Sequence, residues 1–363
     1  MRLRIYLLVR TLLGVIAALA VVSSVIVLVD LVEVSRSLSG RGDIGFTQLL
    51  ELTLLKAPAI ILLLLPFVFL FGSMGAFVTL NRGGELIAMR AAGLSAWQFI
   101  LTPSAAAFLI GLLSIGLLNP LSAALNARFE ERRAALTNDG LPGSTGEIWL
   151  RQGDGISQMV IHAASRDLVG GAIHLRGVSI FIQSVGEAGG LEFTRRIDTD
   201  EALLMPGYWR LTRAREARAG SESIRSEVLL LPSTMDRRSA MEKFVAPGAV
   251  AFWDLPATIK SAELAGYSSA AYQLRLQQLS ATPLLLAAMT MLAATFCLRL
   301  WRLGNMAGFA GLGVALGFAF FFLNQFCGAL GLTDVIPIAL AAWAPPLLAF
   351  LSAVTLLFHT EDG

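Results

Sequence analysis

Six apolar runs dominate this sequence, at residues 12–32, 58–80, 97–118, 279–298, 306–328 and 335–358. Each is long enough to cross the ~30 Å hydrocarbon core of a bilayer, which takes about 20 helical residues. Only 15% of the residues are charged and 55% are hydrophobic, too little polar surface for a soluble chain of 363 residues. The first run is long enough to stay as a span, so no cleaved leader is expected. Three runs precede a long polar segment and three follow it. The expected fold class is therefore a membrane α-helical protein (3 + 3 spans) with an inserted all-β domain. The divisions expected are 1–118, 119–278 and 279–363. The two halves show no internal repeat.

Arginine and lysine set the expected orientation. With the N-terminus inside, the cytoplasmic flanks hold Arg2, Arg4, Arg10, Arg82, Arg90, Arg299 and Arg302. The short outer loops then hold Arg36, Arg41 and Lys56. Both termini are expected in the cytoplasm and the middle segment outside. That segment alternates: Ile148 and Leu150, then Met159, Ile161 and Ala163, then Val178, Ile180 and Ile182 share a face. Asp154-Gly155, Gly170-Gly171, Gly189-Gly190 and Pro206-Gly207 separate the runs as turns. Many short strands with such turns predict a sandwich or a jellyroll-like domain. Asp254, Pro256, Leu255, Ile259 and Ala262 predict a helical connection back to the spans.

The segment between the second and third runs carries the clearest local signal. Gly83-Gly84 breaks the helix, Glu85 sits where the dipole of a new helix favours a carboxylate, and Gly93 is placed to end it. A short helix near 84–93 would expose Leu86, Met89 and Ala91 or Ala92 beside Arg90, a face suited to a partner's groove or to the lipid interface. No Gly-x-x-x-x-Gly-Lys-Ser/Thr stretch occurs, so any energy from ATP is expected to enter through another chain. Polar groups within or beside the spans, Asp30, Glu33, Asn324 and Gln325, are candidates for a cavity or for contacts between helices. Gly304 with Gly308, and Gly313 with Gly317, are spaced for close approach of a second helix, in this chain or another. His162, His174 and His359 lack metal-ligand spacing, no nucleophile elbow occurs, and Cys297 and Cys327 fall in apolar runs. Neither catalytic nor metal-binding residues are assigned, and no enzyme activity is expected of this chain.

Taken together, Glu85-Leu86-Ile87-Ala88-Met89-Arg90-Ala91-Ala92-Gly93, Asp30, Ile148-Trp149-Leu150 and Phe322-Leu323-Asn324-Gln325 resemble the LptF/LptG permease family of lipopolysaccharide exporters. Glu85, Met89 and Gly93 match the family's coupling helix; Gly84 stands where a serine is usual. The resemblance covers essentially the whole chain. Asp30-Leu31-Val32-Glu33 and the closing His359-Thr360-Glu361-Asp362-Gly363 look more like the LptG branch than the LptF branch.

The resemblance implies a bacterial inner-membrane permease subunit of an ABC transporter. Its expected partners are an LptF-like permease, an LptB-like ATPase dimer that uses ATP and magnesium, and an LptC-like bitopic protein. Helices one and five would line the gates. Glu85, Leu86, Met89, Arg90 and Gly93 would couple to the ATPase, with the Glu85 carboxylate meeting a basic residue of its groove. Asp30, Arg36, Arg41, Lys56, Asn324 and Gln325 are the candidates for lipid contact. The alternatives are the paralogous LptF subunit and a membrane-anchored periplasmic sensor or scaffold.

Overall fold

The computed structural model describes residues 2–38, 45–137, 148–153, 157–169, 172–185, 191–218, 220–233, 247–264, 267–300 and 306–361. The helices are α1 (Arg2–Leu38), α2 (Phe46–Arg82), α3 (Glu85–Ala91), α4 (Ala96–Leu113), α5 (Asn119–Thr137), α6 (Leu255–Leu264), α7 (Ala270–Leu300), α8 (Met306–Leu332) and α9 (Ile338–Glu361). Among the described residues six helical stretches are long and apolar enough to cross a membrane. They are α1, α2, the continuous stretch from α4 into α5, α7, α8 and α9.

The chain divides into two compact units. The first holds residues 1–130, 247–255 and 270–363; the second holds 131–246 and 256–269. In the first unit the packed interior is built from α1, α2, α4, α7 and α9, with Leu7, Phe69, Phe77, Phe99, Ile100 and Leu286 fully buried or nearly so. Lipid supplies no hydrophobic drive between such helices, so close backbone approach matters more than apolar area. Glycine provides it at two crossings. A Cβ on Gly14 would lie 2.4 Å from the Gly72 carbonyl oxygen, and one on Gly111 would lie 2.5 Å from Pro283 Cα.

The third span does not stop at Leu118. A π turn at Ser114–Leu118 joins α4 to α5, and the helix runs on through Pro120 to Thr137. Asn119 Oδ1 accepts from the Phe252 backbone N–H at 2.8 Å, and the Gly116 carbonyl accepts from Trp253 Nε1 at 3.3 Å. One backbone carbonyl of the π turn and the Asn119 amide oxygen beside it are thus taken up by the segment that leads into α6. The fourth span also begins earlier than its apolar run: α7 starts at Ala270, nine residues before Leu279. Leu255 and Ala262, expected on a connecting helix, are fully buried positions of α6.

The second unit contains one antiparallel sheet of β1 (Ile148–Gly153), β2 (Ser157–Val169), β3 (Ala172–Val185), β4 (Leu191–Met205), β5 (Tyr208–Arg218) and β6 (Ile224–Pro232). The strands pair in chain order, β1-β2-β3-β4-β5-β6. This is a meander, and among the described strands there is none of the crossovers of a Greek-key roll. The alternation expected from sequence is borne out: Ile161, Ala163, Val178, Ile180 and Ile182 all point into one buried face, joined by Ile197, Leu211 and Trp209. The cysteines are free, with Cys297 buried.

On β5, Glu216 gathers two guanidinium groups from neighbouring positions. Arg195 Nη1 lies 3.2 Å and Arg218 Nη2 2.8 Å from the same carboxylate oxygen. Burial of the carboxyl pushes its pKa up, but the hydrogen bonds and charges of Arg218 and Arg195 together outweigh that and hold it below the ordinary glutamate value. A lowered carboxyl pKa gives stability that is fully present above the unfolded-state value and is lost as pH falls through the folded-state value. The contribution of this cluster should therefore be constant near neutrality and be lost only in acid, below the ordinary glutamate range. Circular-dichroism melts of the full chain in detergent, at graded acid pH, should show this decline in the native chain. It should be clearly reduced in Glu216→Gln, and equal slopes in the two chains would contradict the assignment.

Candidate functional site

Between α2 and α4 the backbone makes a compact helical projection. Gly83 closes α2 and Gly84, at φ +71°, turns the chain into α3. At the other end the Gly93 N–H donates to the Arg90 carbonyl at 2.9 Å and the Leu94 N–H to the Met89 carbonyl at 3.1 Å. With Gly93 at φ +81° this is a Schellman close, which needs a left-handed residue there. The helix thus starts at Glu85 and ends at Gly93 as the sequence suggested.

Its orientation differs from the sequence expectation. Leu86 and Met89 are buried, at 1% and 7% exposure, and belong to the core of the membrane unit. They do not form the outward face. Seven residues make two turns, and the i, i+3 pair of large apolar side chains turns back onto α2 and α4 because that is where apolar surface is nearest. The exposed face is Ile87, Ala88, Arg90 and Ala91. Glu85 also has a partner within the chain. Tyr6 of α1 donates its hydroxyl to Glu85 Oε1 at 3.1 Å, and Arg10 Nε donates to the Tyr6 oxygen at 3.1 Å. The Arg10 guanidinium lies over the Tyr6 ring, 5.4 Å from its centroid. A relay from Arg10 through Tyr6 to Glu85 therefore ties α3 to the start of α1. Tyr6 was not singled out from the sequence.

The candidates for lipid contact fall into separate places. Asp30 of α1 and Lys56 of α2 form an ion pair, Nζ to Oδ1 at 2.5 Å. Asp30 is buried, its second oxygen has no hydrogen-bond partner, and the Lys56 ammonium also lies 5.9 Å from the Phe129 ring centroid. These two residues therefore hold α1 to α2. Glu33 and Arg36 are exposed on α1, while Arg41 lies outside the described residues. Asn324 and Gln325 of α8 line a cavity of about 190 Å³ together with Gln278 and Arg275 of α7. Arg275 was not among the sequence candidates.

Gly313 and Gly317 approach α2 of the same chain. A Cβ on Gly313 would fall 2.6 Å from Met74 Cε, and one on Gly317 would fall 3.2 Å from Phe67 Cδ1. Gly304 lies outside the described residues, and Gly308 is in α8 with its surroundings outside them as well. In the β unit the His162 ring packs on Trp149 with centroids 4.4 Å apart, and His174 lies 3.6 Å from Glu201. Among the described residues no group of three or more His, Cys, Asp or Glu is placed to hold a metal ion.

This arrangement, six spans with an inserted antiparallel sheet and a capped helix between the second and third spans, agrees with what sequence comparison finds. The chain is 24% identical over 317 residues to the lipopolysaccharide export system permease protein LptG of Escherichia coli strain K12, covering 85% of this chain and 84% of that protein. The same figures hold for the LptG of Escherichia coli O6:H1 strain CFT073. The family model for lipopolysaccharide export system permease LptF/LptG matches residues 5–359. Nearly the whole chain is covered by that match, and the chain belongs to the LptF/LptG family of lipopolysaccharide export permeases.

Proposed function

We propose that this chain is the LptG-type subunit of an exporter that draws lipopolysaccharide out of the inner membrane and passes it to a periplasmic bridge. It works beside an LptF-like permease and an LptC-like bitopic protein. ATP and magnesium are used by an LptB-like ATPase dimer, not by this chain. Both termini face the cytoplasm and the β unit the periplasm, in line with the arginine-rich flanks. The LptG branch is proposed on the likeness of Asp30-Leu31-Val32-Glu33 and of closing residues 359–363 to that branch.

The observation that carries the reading is the anchoring of α3. Leu86 and Met89 root it in the membrane core, and Glu85 binds it to α1 through Tyr6. A force applied by an ATPase to the exposed face of Ile87, Arg90 and Ala91 would thus reach α2 through the backbone and α1 through the Glu85–Tyr6 contact. This changes the role expected for Glu85. Its carboxylate acts inside the chain as the acceptor of that tether, and the docking face is supplied by its neighbours.

The test is ATP-dependent lipopolysaccharide release from proteoliposomes containing the full complex. The native complex should release lipid with ATP and not without it. Glu85→Ala and Tyr6→Phe both remove the tether, a hydrogen bond to a charged group worth about 1.5–3 kcal/mol. Release should fall roughly tenfold or more in each while ATP hydrolysis continues. Normal ATP-driven release in both variants would remove α3 from the transmission path. Absence of release from the native complex would remove the exporter reading itself.

A further inference from the structure

We infer that Arg275, with Gln278, Asn324 and Gln325, forms a binding site for an anionic, phosphate-bearing group inside the membrane unit. The cavity they share, about 190 Å³, lies among α2, the π turn, α7, α8 and α9. Arg275 is half-buried, and its Nε is enclosed with no hydrogen-bond partner. No aspartate or glutamate lines the cavity among the described residues. A guanidinium stays charged in any protein setting, and an uncompensated charge held away from water is costly. Such a group beside membrane spans marks a place where a counter-charge arrives with a ligand.

The neighbouring groups define which ligand. Gln278, Asn324 and Gln325 each carry an amide N–H₂ that can be turned toward an anion beside the donor-only Arg275 guanidinium. A planar guanidinium meets two oxygens of a phosphate at once, which a lysine ammonium does not do. The lining also holds apolar side chains, among them Phe67, Phe320, Phe321 and Leu285. Donors and aromatic side chains in one lining suit the phosphate of a lipid headgroup with its apolar chains. A free phosphate ion would use the donors alone.

Two further features support a built site. Ser114 and Asn119, at the ends of the π turn, both line the same cavity, and π turns inside α-helices are frequent at functional sites. Gln277, next to Gln278 on α7, accepts from Trp343 Nε1 at 3.0 Å. That bond fixes the rotation of α7 in this turn.

The inference extends the exporter reading by naming one of its lipid contacts, and the experiment separates the two. A photoreactive amino acid is placed at Thr282, on the cavity wall, and in a second chain at Val25, on the exposed face of α1. Each is assembled into the full complex in nanodiscs with lipopolysaccharide as the probe. Capture is expected from position 282. It should fall roughly tenfold in Arg275→Leu and recover in part in Arg275→Lys, with capture at position 25 unchanged. Both variants should elute as the native complex does, which separates lost binding from lost folding. An excess of inorganic phosphate should leave capture in place if the occupant is the lipid headgroup; displacement supports the same anion site with free phosphate as its occupant. Equal capture by native and Arg275→Leu chains, or capture at 25 and none at 282, overturns the inference and leaves the exporter reading standing. Capture at neither position, with ATP-driven release also absent, overturns both.

Discussion

Gly14→Val is expected to cost the membrane unit on the order of 3 kcal/mol and to leave little folded protein after detergent extraction. The Cβ added there would lie 2.4 Å from the Gly72 carbonyl oxygen and 3.0 Å from Ala76 Cβ. The first of these is backbone, which cannot swing aside. The contact is also reciprocal, since a Cβ on Gly72 would meet Val15 Cα at 2.5 Å. Relief requires α1 and α2 to separate along their crossing, and the dispersion contacts of that seam fall off steeply with separation. Gly75→Val is the control. It makes the same chemical change on the facing helix α2, three residues past Gly72, but nothing lies within 4 Å of the added Cβ. Thermal unfolding of the two variants in one detergent should show a large drop for position 14 and none for position 75. Matching melting points would mean that close approach of α1 and α2 is not what holds them.

Lys56→Met should also destabilise the subunit, by about 2 kcal/mol. Breaking a fully buried ion pair by removing one partner costs roughly 3–5 kcal/mol, and the lysine side chain is 30% exposed, which lowers the figure. The cost arises at Asp30, which is left nearly enclosed with neither oxygen bonded to a cation. Removing the charge there as well should repair most of the loss. The double variant Asp30→Leu with Lys56→Met is expected to melt within a few degrees of the native chain, because two apolar groups replace a pair that was expensive to desolvate. If the double variant is as unstable as Lys56→Met alone, the damage does not come from an orphaned carboxylate.

The parts of the fold written in local pattern were legible from the sequence. Six long apolar runs gave six spans, and strict alternation at Ile161, Ala163, Ile180 and Ile182 gave the buried face of the sheet. Gly83-Gly84 and Gly93 gave both ends of α3, because Gly84 and Gly93 take a left-handed backbone shape that few residues besides glycine adopt. What the pattern missed depends on tertiary neighbours. The polar residues Arg275, Gln277 and Gln278 bounded the fourth apolar run, yet α7 continues through them: Arg275 and Gln278 line the cavity and Gln277 meets Trp343. Seven residues are too few for helical periodicity to choose a face, so the inward turn of Leu86 and Met89 was invisible. Asp30 stood out as a carboxylate near an apolar run, but its partner is 26 residues away on another helix. Tyr6 and Glu85 are 79 residues apart, and nothing in either local sequence signals their contact.

The π turn in the third span has an effect on angular phase. An α-helix advances about 100° per residue, so one wider turn offsets every later side chain by about that angle relative to an uninterrupted helix. Ser114 lies before this offset and Asn119 after it, and both face the same cavity. With regular winding, two positions five residues apart would be separated by about 140° around the axis, and they could not comfortably share one wall. The wider turn brings Asn119 round to the side of Ser114, where its amide oxygen meets the Phe252 N–H. Winding this segment as a regular α-helix at its full length would therefore rotate the whole outgoing rod of α5 and carry Asn119 away from the Phe252 N–H, whereas deleting one residue of the turn would keep the phase, since four regular steps leave Asn119 about 40° from Ser114.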